Sequence, residues 1–526
     1  MGEEPTTAAS CELGVIGFMN AAFGFRLDAV FLRADFFTAR LRAAGRRADF
    51  RADFFADLFA DFFALFLVAI ASLLLRVEPA NLEWNSCTDA TQSMTLFPSC
   101  NRGTAFIFHP MYARSLLGTA FAGLAATATL AAQSSSGRLA CARDNGGLAL
   151  PEGLCAVVVG RDLGPVRHVV VAPNGDVFAN VARRGIVALR DTSGDGAADV
   201  IRRFGDGGTG VALVDGWLYG ATNETVYRYR WSRGQLEPSG EPETIVRGLP
   251  TGGHEAKSIA VGAGDALYVN VGSLTNSCQV NDRGTRSPGR DPCRELETRA
   301  GIWRFSASRT GQRLADGRRY ATGLRNALGL ALRPGTGDLW ASVHGRDQLA
   351  QNWGFDERKG AENPGEELVR AVEGDDFVWP YCYYDVERKT KVLAPEYGGS
   401  GTDTGRCVHA KAPVAVYPGH WAPMAIAFAR GGALGNDDAD GVFIAFHGSW
   451  NRAPLPQAGF RVVWQPLAGD RTAGPFTTIA TGTAGETSLR ASGVAVGPDG
   501  SLYIAADASG TIWRVFRGTA PAASGR

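Results

Sequence analysis

The 526-residue chain has no excess of charge of either sign, because 53 Lys and Arg residues balance 53 Asp and Glu residues. Without surplus cations to neutralise phosphates, a general role in binding nucleic acid or acidic membranes has no support. The sequence also lacks a Ser nucleophile motif, a phosphate-binding P-loop and a GxGxxG loop after a strand. Acyl transfer, nucleotide hydrolysis and nicotinamide binding are therefore not indicated.

None of the nine cysteines stands in a CxxC spacing, so a structural zinc site is not indicated. Six of the cysteines form three pairs of sequence neighbours, and local pairing is our first choice among the connectivities that six cysteines allow. The predicted disulfides are Cys141–Cys155, Cys278–Cys293 and Cys382–Cys407. Three disulfides imply an oxidising compartment, and we expect a periplasmic or secreted protein.

Residues 1–110 differ in composition from the rest of the chain, with a repeated Ala-Asp-Phe theme and an apolar run over 58–75. Residues 111–133 are typical of a secretory signal peptide, with Arg114 before an apolar stretch that ends in small residues. Because a signal peptide belongs at the start of a chain, we expect Met111 to be the natural start. The alternative is an N-terminal membrane anchor followed by a linker. N-terminal sequencing of the secreted protein distinguishes the two.

From residue 150 onward one pattern recurs six times: an apolar strand, a turn rich in Pro, Asp or Gly, and a strand with an aromatic residue. The copies begin near residues 169, 211, 259, 328, 425 and 493. Six copies predict a six-bladed β-propeller, an all-β fold, over 141–518, with 519–526 as a tail. A β-sandwich or two smaller β domains are the alternatives. We expect the strand at 155–160 to complete the last blade and close the ring.

Polar residues gather just before the first strand or just after the second strand of several copies. An antiparallel hairpin brings these positions to one end, and blade ends of a propeller converge on its central channel. Many are cationic, and without matching carboxylates they suit a polyanion or a cofactor that carries carboxylates. The candidate residues are His254, Lys257, Arg325, Asn326, His344, Gly345, Arg346, Asp347, His420, His447, Arg452 and Arg490.

Two loops allow two interpretations each. The loop DTSGDGAAD is rich in oxygen ligands and resembles the start of a calcium loop through Asp191, Asp195 and Asp199, but an ordinary turn has the same composition. The loop at 364–385 holds five aromatic residues, which either wall a pocket or form the core of the loop.

Several motifs of the chain are long and distinctive. They are GHEAKSIAV, GLRNALGLAL, VHGRDQL, EGDDFVWPYCYYD, APEYGGSGT, HWAPMAIAF, FIAFHGSWNRAP and GVAVGPDGSLYIAADASGTIWRV. These motifs resemble the glucose/sorbosone dehydrogenase family, nearest its L-sorbosone dehydrogenase branch. The likeness runs from about Cys141 to Phe516, and it implies a six-bladed propeller that binds pyrroloquinoline quinone (PQQ) and calcium. It also implies a periplasmic or secreted enzyme that oxidises a sugar or an aldehyde and passes electrons to an external acceptor.

The resemblance assigns roles to single residues. It implies that His254 is the general base while hydride passes to the quinone, and that Arg325 holds the quinone oxygens beside Asn326. Calcium is implied at the loop Gly345, Arg346 and Asp347, partly through backbone oxygens. Further predicted cofactor contacts are Lys257, His344, His420, His447, Arg452 and Arg490.

The chain departs from the glucose-oxidising branch at two places. HGSWNR stands where that branch places a Lys against the cofactor, and LRASG has one Arg where that branch has two. These departures bear on glucose as the substrate more than on the fold. Two other functions stay open: a non-catalytic secreted propeller that binds carbohydrate or protein, and a calcium lactonase. A lactonase needs a central carboxylate cluster, whereas these blade ends are basic.

Overall fold

The computed structural model describes residues 139–429, 434, 440–485 and 487–518. The predicted N-terminal extension (1–110), signal peptide (111–133) and tail (519–526) lie outside the described residues. Within the described ranges, no helix is long and apolar enough to cross a membrane.

Two short strands precede the first blade. They are β1 (Leu148–Ala149) and β2 (Leu154–Gly160). The first three blades then follow in chain order, each with its first strand innermost. Blade 1 contains β3 (Val166–Val171), β4 (Val177–Val181), β5 (Gly185–Arg190) and β6 (Val200–Phe204). Blade 2 contains β7 (Val211–Val214), β8 (Trp217–Ala221), β9 (Val226–Arg230) and β10 (Glu243–Val246). Blade 3 contains β11 (Ile259–Gly262), β12 (Ala266–Val271), β13 (Gly301–Ser306) and β14 (Arg318–Thr322).

The fourth blade carries the largest insertion. Blade 4 contains β15 (Gly329–Leu332), β16 (Leu339–Val343), β17 (Glu366–Ala371) and β21 (Ala415–Tyr417). Its inserted segments form helices α1 (Leu349–Trp353) and α2 (Glu357–Glu362), the strand β18 (Asp375–Asp376), which pairs with β14, and the hairpin β19 (Cys382–Asp385) and β20 (Thr390–Leu393). Single 3-10 turns lie at Asn145–Gly147, Arg294–Glu297, Leu314–Asp316, Pro395–Tyr397 and Gly405–His409.

The last two blades borrow strands from the start of the domain. Blade 5 contains β22 (Pro423–Phe428), β23 (Gly441–Phe446), β24 (Arg461–Ala468) and β26 (Thr477–Gly482), with β1 at its outer edge and β25 (Arg471–Thr472) against β24. Blade 6 contains β27 (Ala491–Val496), β28 (Leu502–Ala506) and β29 (Thr511–Arg517), and β2 is its fourth strand.

The predicted ring closure is confirmed, because β2 pairs antiparallel with β29, with Leu154 opposite Arg517. Each inner strand contacts the inner strand of the next blade, and β27 of blade 6 contacts β3 of blade 1. The six repeats are the first two strands of the six blades. The all-β, six-bladed propeller predicted from the repeats is thus the observed fold.

The core lies between neighbouring blades, which explains why the strands are apolar on both faces. All five residues of β16 and all six of β23 are buried, because a blade packs against a neighbour on each side. One cluster joins blades 3 and 4 through Ile302, Leu324 and Val369. Aromatic rings fill the interface of blades 4 and 5, where Trp340 meets Phe428 edge to face.

The three predicted disulfides are present. The Cα–Cα distances are 5.2 Å for Cys141–Cys155, 6.1 Å for Cys278–Cys293 and 5.9 Å for Cys382–Cys407. The first attaches the segment before the propeller to β2. The other two brace the long loops after β12 and after β17, which have little regular structure to hold them.

Candidate active site

His254 lies just before β11, and its imidazole is fixed by Ser273 in the loop after β12. Nδ1 lies 2.9 Å from the hydroxyl oxygen and 3.0 Å from the carbonyl oxygen of Ser273. Because a carbonyl oxygen only accepts, Nδ1 carries the proton of the neutral ring and Nε2 keeps its lone pair. Burial, followed by the charge of Arg325, holds the pKa of His254 well below 6.5. The ring is therefore neutral at neutral pH and presents an unprotonated Nε2.

Gly272 allows His254 to approach this closely. A Cβ atom at position 272 would lie 2.5 Å from the carbonyl oxygen and 2.6 Å from the Cβ of His254. It would also lie 3.1 Å from Oδ1 of Asn326. The two predicted site residues therefore converge on one point of backbone, where a side chain does not fit.

Arg325 is 4% exposed, and protein groups hold its guanidinium on several sides. Nε and Nη2 donate to the carbonyl and side-chain oxygens of Asn276, at 3.2 and 3.1 Å. Nη2 also donates to Asp347 Oδ2 at 2.9 Å, and Nη1 donates to the carbonyl oxygen of Gly345 at 2.7 Å. These bonds use most of the five N–H donors of an arginine, so little of Arg325 is left for a ligand.

Asp347 is the anion that joins the loops of three blades. Its Oδ2 accepts from Arg325 and from Arg283, each at 2.9 Å, and its Oδ1 accepts from Asn451 at 2.9 Å. Burial alone would raise the pKa of Asp347, but the two guanidinium groups outweigh it and hold the pKa well below its ordinary value. Asp347 therefore stays ionised and is occupied by these donors.

Two further histidines, both with neutral rings, lie near Asp347 and its partners. Nε2 of His344 donates to the carbonyl oxygen of Pro423 at 2.9 Å, and burial lowers the pKa of His344 to about 4. Nε2 of His420 donates to the carbonyl oxygen of Gly360 at 3.0 Å, and its other nitrogen lies 3.8 Å from Asp347. Burial also lowers the pKa of His420. Neither ring adds positive charge at neutral pH.

Glu366, at the start of β17, ties the loop after β16 to the loop before β22. Its Oε2 accepts from the backbone N–H of Gly345 at 2.9 Å, and its Oε1 accepts from that of Ala422 at 3.3 Å. The side chain is almost fully buried, and burial raises its pKa to about 7. Glu366 therefore braces the backbone beneath His344 and His420.

His447, after β23, forms a separate cluster on the side of blades 5, 6 and 1. Its Nε2 lies 2.9 and 3.0 Å from the two oxygens of Asp507 and so donates to them, while Nδ1 accepts from Arg490 at 3.1 Å. Asp507 also pairs with Arg167 at 3.2 Å. In the part of the chain that the structure describes, Arg490 has an imidazole but no carboxylate as a direct partner. Its charge is thus available to an anionic ligand.

Three predicted site residues turn away from this space. Lys257 is fully buried, its ammonium donates to the carbonyl oxygens of Pro250 and Glu255, and burial lowers its pKa to about 7. Arg452 is buried and donates to the carbonyl oxygens of Ala361 and Gly419. Arg346 pairs with Glu396 through two 2.6 Å contacts, with exposed side-chain fractions of 3% and 0%. All three hold loops together instead of facing a ligand.

The expected ring of cations without carboxylates is therefore wrong. Asp347 pairs with Arg325, Glu396 pairs with Arg346, and Asp507 pairs with His447 and Arg167. Arg490 differs from these residues, because it has no carboxylate partner among the described residues and bonds only the imidazole of His447 through its side chain. The location of Arg490 fits a ligand with few carboxylates better than a large polyanion.

The structure favours the ordinary-turn interpretation of the aspartate loop. Asp191 accepts from the backbone N–H of Gly194 at 2.6 Å and of Gly196 at 2.8 Å, and Asp199 accepts from that of Thr192 at 2.6 Å. Asp195 accepts from the N–H of Ala197 at 2.8 Å. Across the described ranges, no group of three or more His, Cys, Asp or Glu residues is placed to hold a metal ion. These carboxylates stabilise turns.

The aromatic loop is mainly core. Phe377, Trp379 and Tyr383 are 2%, 6% and 5% exposed. With Arg325 and His344 they line a cavity of about 40 Å³, which has room for water but not for a sugar. The loop therefore packs against Arg325 and His344 and does not form a wall of a sugar-sized pocket.

Several residues of this arrangement were not predicted from the sequence. Asn451 stands inside the quoted motif HGSWNRAP, so its signal was present. Asp507 likewise stands inside the last quoted motif, and Arg167 and Glu366 lie in strands β3 and β17. Ser273, Asn276 and Arg283 lie in the loop after β12. In none of these places does the sequence indicate the partner of the polar side chain. The unpredicted residues are Arg167, Ser273, Asn276, Arg283, Glu366, Asn451 and Asp507.

Comparison with known proteins connects this geometry to a family. A family model described as TrAA12-like matches residues 148–518. A pyrroloquinoline quinone-dependent pyranose dehydrogenase of Coprinopsis cinerea is 29% identical over 250 residues, covering 39% of this chain and 32% of that protein. The match thus spans about a third of the length of that curated relative.

Solved structures share the fold. A calcium structure of the Trichoderma reesei Carbohydrate-Active Enzymes Family AA12 protein has a TM-score of 0.60 at 18% identity, covering 73% of this chain and 100% of that one. The holo form of the pyranose dehydrogenase PQQ domain from Coprinopsis cinerea has a TM-score of 0.58 at 19% identity, covering 70% and 97%. At these identities the likeness supports the propeller fold alone.

Proposed function

Since the chain belongs to the TrAA12-like family, we propose that it is a PQQ-dependent dehydrogenase that oxidises a sugar or aldehyde, sorbosone-like or glucose-like. The observation that carries the proposal is His254. Its ring is held neutral, its Nδ1 proton is fixed by Ser273, and its Nε2 has no hydrogen-bond partner among the described residues. A poised base beside the buried Arg325 is what removal of a hydroxyl proton requires.

In this proposal Nε2 of His254 takes the proton from the substrate hydroxyl, or from the hydroxyl of a hydrated aldehyde. The Nδ1–H bonds to Ser273 keep the ring oriented and stabilise the imidazolium that forms. Burial of the ring, and after it the charge of Arg325, lowers the pKa of His254 and keeps the resting ring neutral, while the charge of Asp347 favours the protonated ring. PQQ, when bound, supplies the quinone that accepts hydride from the substrate carbon.

The residues present fit an anionic quinone cofactor. Arg490 has no carboxylate partner among the described residues and suits a cofactor carboxylate, and His447 fixes its direction through the bond at 3.1 Å. Arg325 retains at most one N–H beyond its protein contacts, so it would hold a quinone oxygen through that donor. Asn326 lies beside it. Lys257 and Arg452 take no part.

Calcium is also implied by the resemblance, at Gly345, Arg346 and Asp347. In the structure the carbonyl oxygen of Gly345 accepts from Arg325, and the carboxylate of Asp347 accepts from two arginines and an asparagine. This arrangement does not fit a divalent cation, since the oxygen atoms that would be its ligands already accept hydrogen bonds from guanidinium groups. Cofactor binding measured in calcium and in EDTA tests the requirement.

The test is reconstitution of the purified protein with PQQ, followed by dye reduction with a panel of aldoses and aldehydes. A change in the cofactor's absorbance together with sugar-dependent dye reduction supports the proposal. Neither response, under conditions where the protein is folded, defeats it. The dye stands in for an external electron acceptor, and the three disulfides support a periplasmic or secreted location.

A non-catalytic propeller that binds carbohydrate or protein is the alternative from another class. It has no need for a neutral imidazole with a fixed tautomer beside a buried arginine. Such a protein would bind sugar without reducing dye in the presence of PQQ. The reconstitution experiment therefore separates the two functions directly.

We expect the replacement Gly272→Ala to reduce kcat by about tenfold to a hundredfold, because its methyl group displaces His254, and a misplacement of about 1 Å in a reacting group costs about 10²-fold. The free energy of unfolding should fall by about 1–3 kcal/mol from overpacking. Steady-state kinetics and urea unfolding measure the two effects. Gly474→Ala is the control, because a Cβ there meets only Pro466, at 3.9 Å. Unchanged kcat in Gly272→Ala would show that this packing does not position the base.

The pH dependence follows from the lowered pKa of His254. A base works when it is deprotonated, so lowering its pKa extends activity toward acid. We expect kcat/KM to be independent of pH from 6.5 to 8 and to fall tenfold per pH unit only below the lowered pKa. The profile is measured over a range in which circular dichroism shows a constant fold. A fall in kcat/KM on the acid side centred at pH 6.5 or above would contradict the lowered pKa of the buried base.

A further inference from the structure

Trp450 has the greatest exposed fraction, 67%, among the large apolar side chains recorded as exposed in the described part of the chain. Single exposed apolar residues are common, so exposure alone assigns no role. What distinguishes Trp450 is the loop that carries it, residues 447–460, which joins β23 to β24.

The N-terminal side of this loop is firmly attached to the propeller. The backbone N–H of Gly448 donates to the carbonyl oxygen of Trp421 at 3.0 Å, and that of Ser449 donates to Ala458 at 2.9 Å. The Ser449 hydroxyl donates to Gln457 at 2.7 Å, and Ser449 is buried. The residue before Trp450 therefore has little freedom.

The C-terminal side is equally fixed. Asn451 donates to Asp347 at 2.9 Å, and buried Arg452 donates to the carbonyl oxygens of Gly419 and Ala361 at 2.9 and 3.0 Å. The exposure of Trp450 therefore does not result from a loose loop. Anchored backbone on both sides holds the indole in the open, so a ligand would bind it with little loss of loop entropy.

The anchors also place Trp450 at the rim of the candidate active site. Asn451 contacts the same carboxylate that holds Arg325, and His447 at the start of the loop contacts Arg490. A second exposed apolar side chain has a comparable position on blade 3. Leu274 is 48% exposed and directly follows Ser273, which holds His254.

We propose that Trp450 binds the substrate by stacking its indole on the C–H face of a pyranose ring, with Leu274 as a second apolar contact at the rim. This inference rests on the proposed function and assigns the residues of this chain that would hold a ring-form sugar at the rim of the site. A pyranose presents a flat apolar face that matches an indole, whereas a short open-chain aldehyde presents none. Trp450 therefore selects for ring substrates.

The kinetic test compares a pyranose with glyceraldehyde in the PQQ-loaded enzyme. We expect Trp450→Ala to raise KM for the pyranose about tenfold, with kcat changed less than about twofold, and Trp450→Phe to raise it about twofold to threefold. KM for glyceraldehyde should be unaffected. Ile201→Ala, which truncates a 40% exposed side chain on β6, is the control and should match the wild type. An unchanged pyranose KM overturns the inference, as does an equal rise for both substrates.

A binding measurement tests Trp450 independently of turnover. 1,5-Anhydroglucitol is a pyranose without the anomeric hydroxyl, and its contact with the cofactor-free protein is measured by saturation-transfer NMR. We expect a signal with the wild type and Ile201→Ala and its loss with Trp450→Ala. Equal signals from all three proteins, or none from the wild type, overturn the inference. If the loaded wild type oxidises no sugar, the proposed function fails, and this measurement still decides the role of Trp450.

Discussion

Replacing His254 with alanine is expected to lower kcat by about 10²- to 10⁴-fold, the usual contribution of a general base. PQQ binding should stay within about twofold of the wild type, because the contacts we assign to the cofactor come from Arg490, Arg325 and Asn326. Dye-reduction kinetics give kcat, and a titration of the cofactor's absorbance gives its affinity. The two readouts separate loss of chemistry from loss of the cofactor.

Two further variants are compared with His254→Ala, one with a smaller expected loss and one as a control. Ser273→Ala removes the hydroxyl contact to Nδ1 but keeps the carbonyl contact at 3.0 Å, so we expect a loss of less than about tenfold. His409→Ala removes an exposed histidine from the insertion in blade 4 and should have no effect. Full turnover by His254→Ala would remove this residue from the mechanism. A parallel loss of PQQ binding would make it a cofactor contact instead of a base.

Replacing Arg346 with methionine is expected to destabilise the fold by about 3–5 kcal/mol, because it leaves Glu396 as a buried charge without its cation. The Glu396 side chain is 0% exposed, and its remaining donor is the indole N–H of Trp353 at 3.0 Å. Urea unfolding measures the change in free energy. The double variant Arg346→Met with Glu396→Leu should recover roughly half of the loss or more, since no unpaired charge remains.

Arg358→Met is the matched control for Arg346→Met. Arg358 pairs with Glu362 at 3.7 Å on the surface of α2, with 71% of the arginine side chain exposed. Exposed pairs contribute about 0–1 kcal/mol, so its loss should be small. A loss of similar size in both variants would show that burial does not set the value of the Arg346 pair. A free energy of unfolding for the double variant no higher than for the single variant would argue against a buried-charge penalty.

The blades were predictable because a propeller repeats its pattern in the sequence. Each hairpin carries its own turn residues between two apolar strands, so six weak signals support one another. The expectation that polar residues next to strand ends lie together likewise predicted that His254, Arg325 and His344 share one region. All three lie within a few residues of a strand. Strand ends have fixed positions even where loop conformations are unknown.

Side-chain direction was less predictable than position. Lys257 and Arg452 lie at blade ends, as expected, but both bond backbone carbonyl oxygens. Lys257 bonds carbonyl groups of its own loop, and Arg452 bonds those of Ala361 and Gly419 in neighbouring segments. The alternation of side chains applies within a strand and ends where the strand ends. A long flexible cation beyond that point follows the nearest unpaired carbonyl groups, which only the folded loop specifies.

The ion pairs of the site were unpredictable for a related reason. Arg346 and Glu396 are joined only when the insertion of blade 4 folds back, and His447 meets Asp507 only when blades 5 and 6 are side by side. Their sequence neighbours carry no mark of the partner. The pairing of distant residues therefore changed the interpretation of the site from a ring of unpaired cations to a network of ion pairs around Asp347 and Asp507. In the described part of the chain, Arg490 lies beside this network without a carboxylate partner.

The strands β1 and β2, which belong to blades 5 and 6, determine when the folding of the domain can be completed. Both leave the ribosome before any other strand of blades 5 and 6, and their partners β26 and β29 come near the end of the domain. Until then, each is an edge strand without its native neighbour, which is open to wrong pairing. The ring closes only when its last strand is present, so chaperones can act on an open chain during nearly the whole of its synthesis.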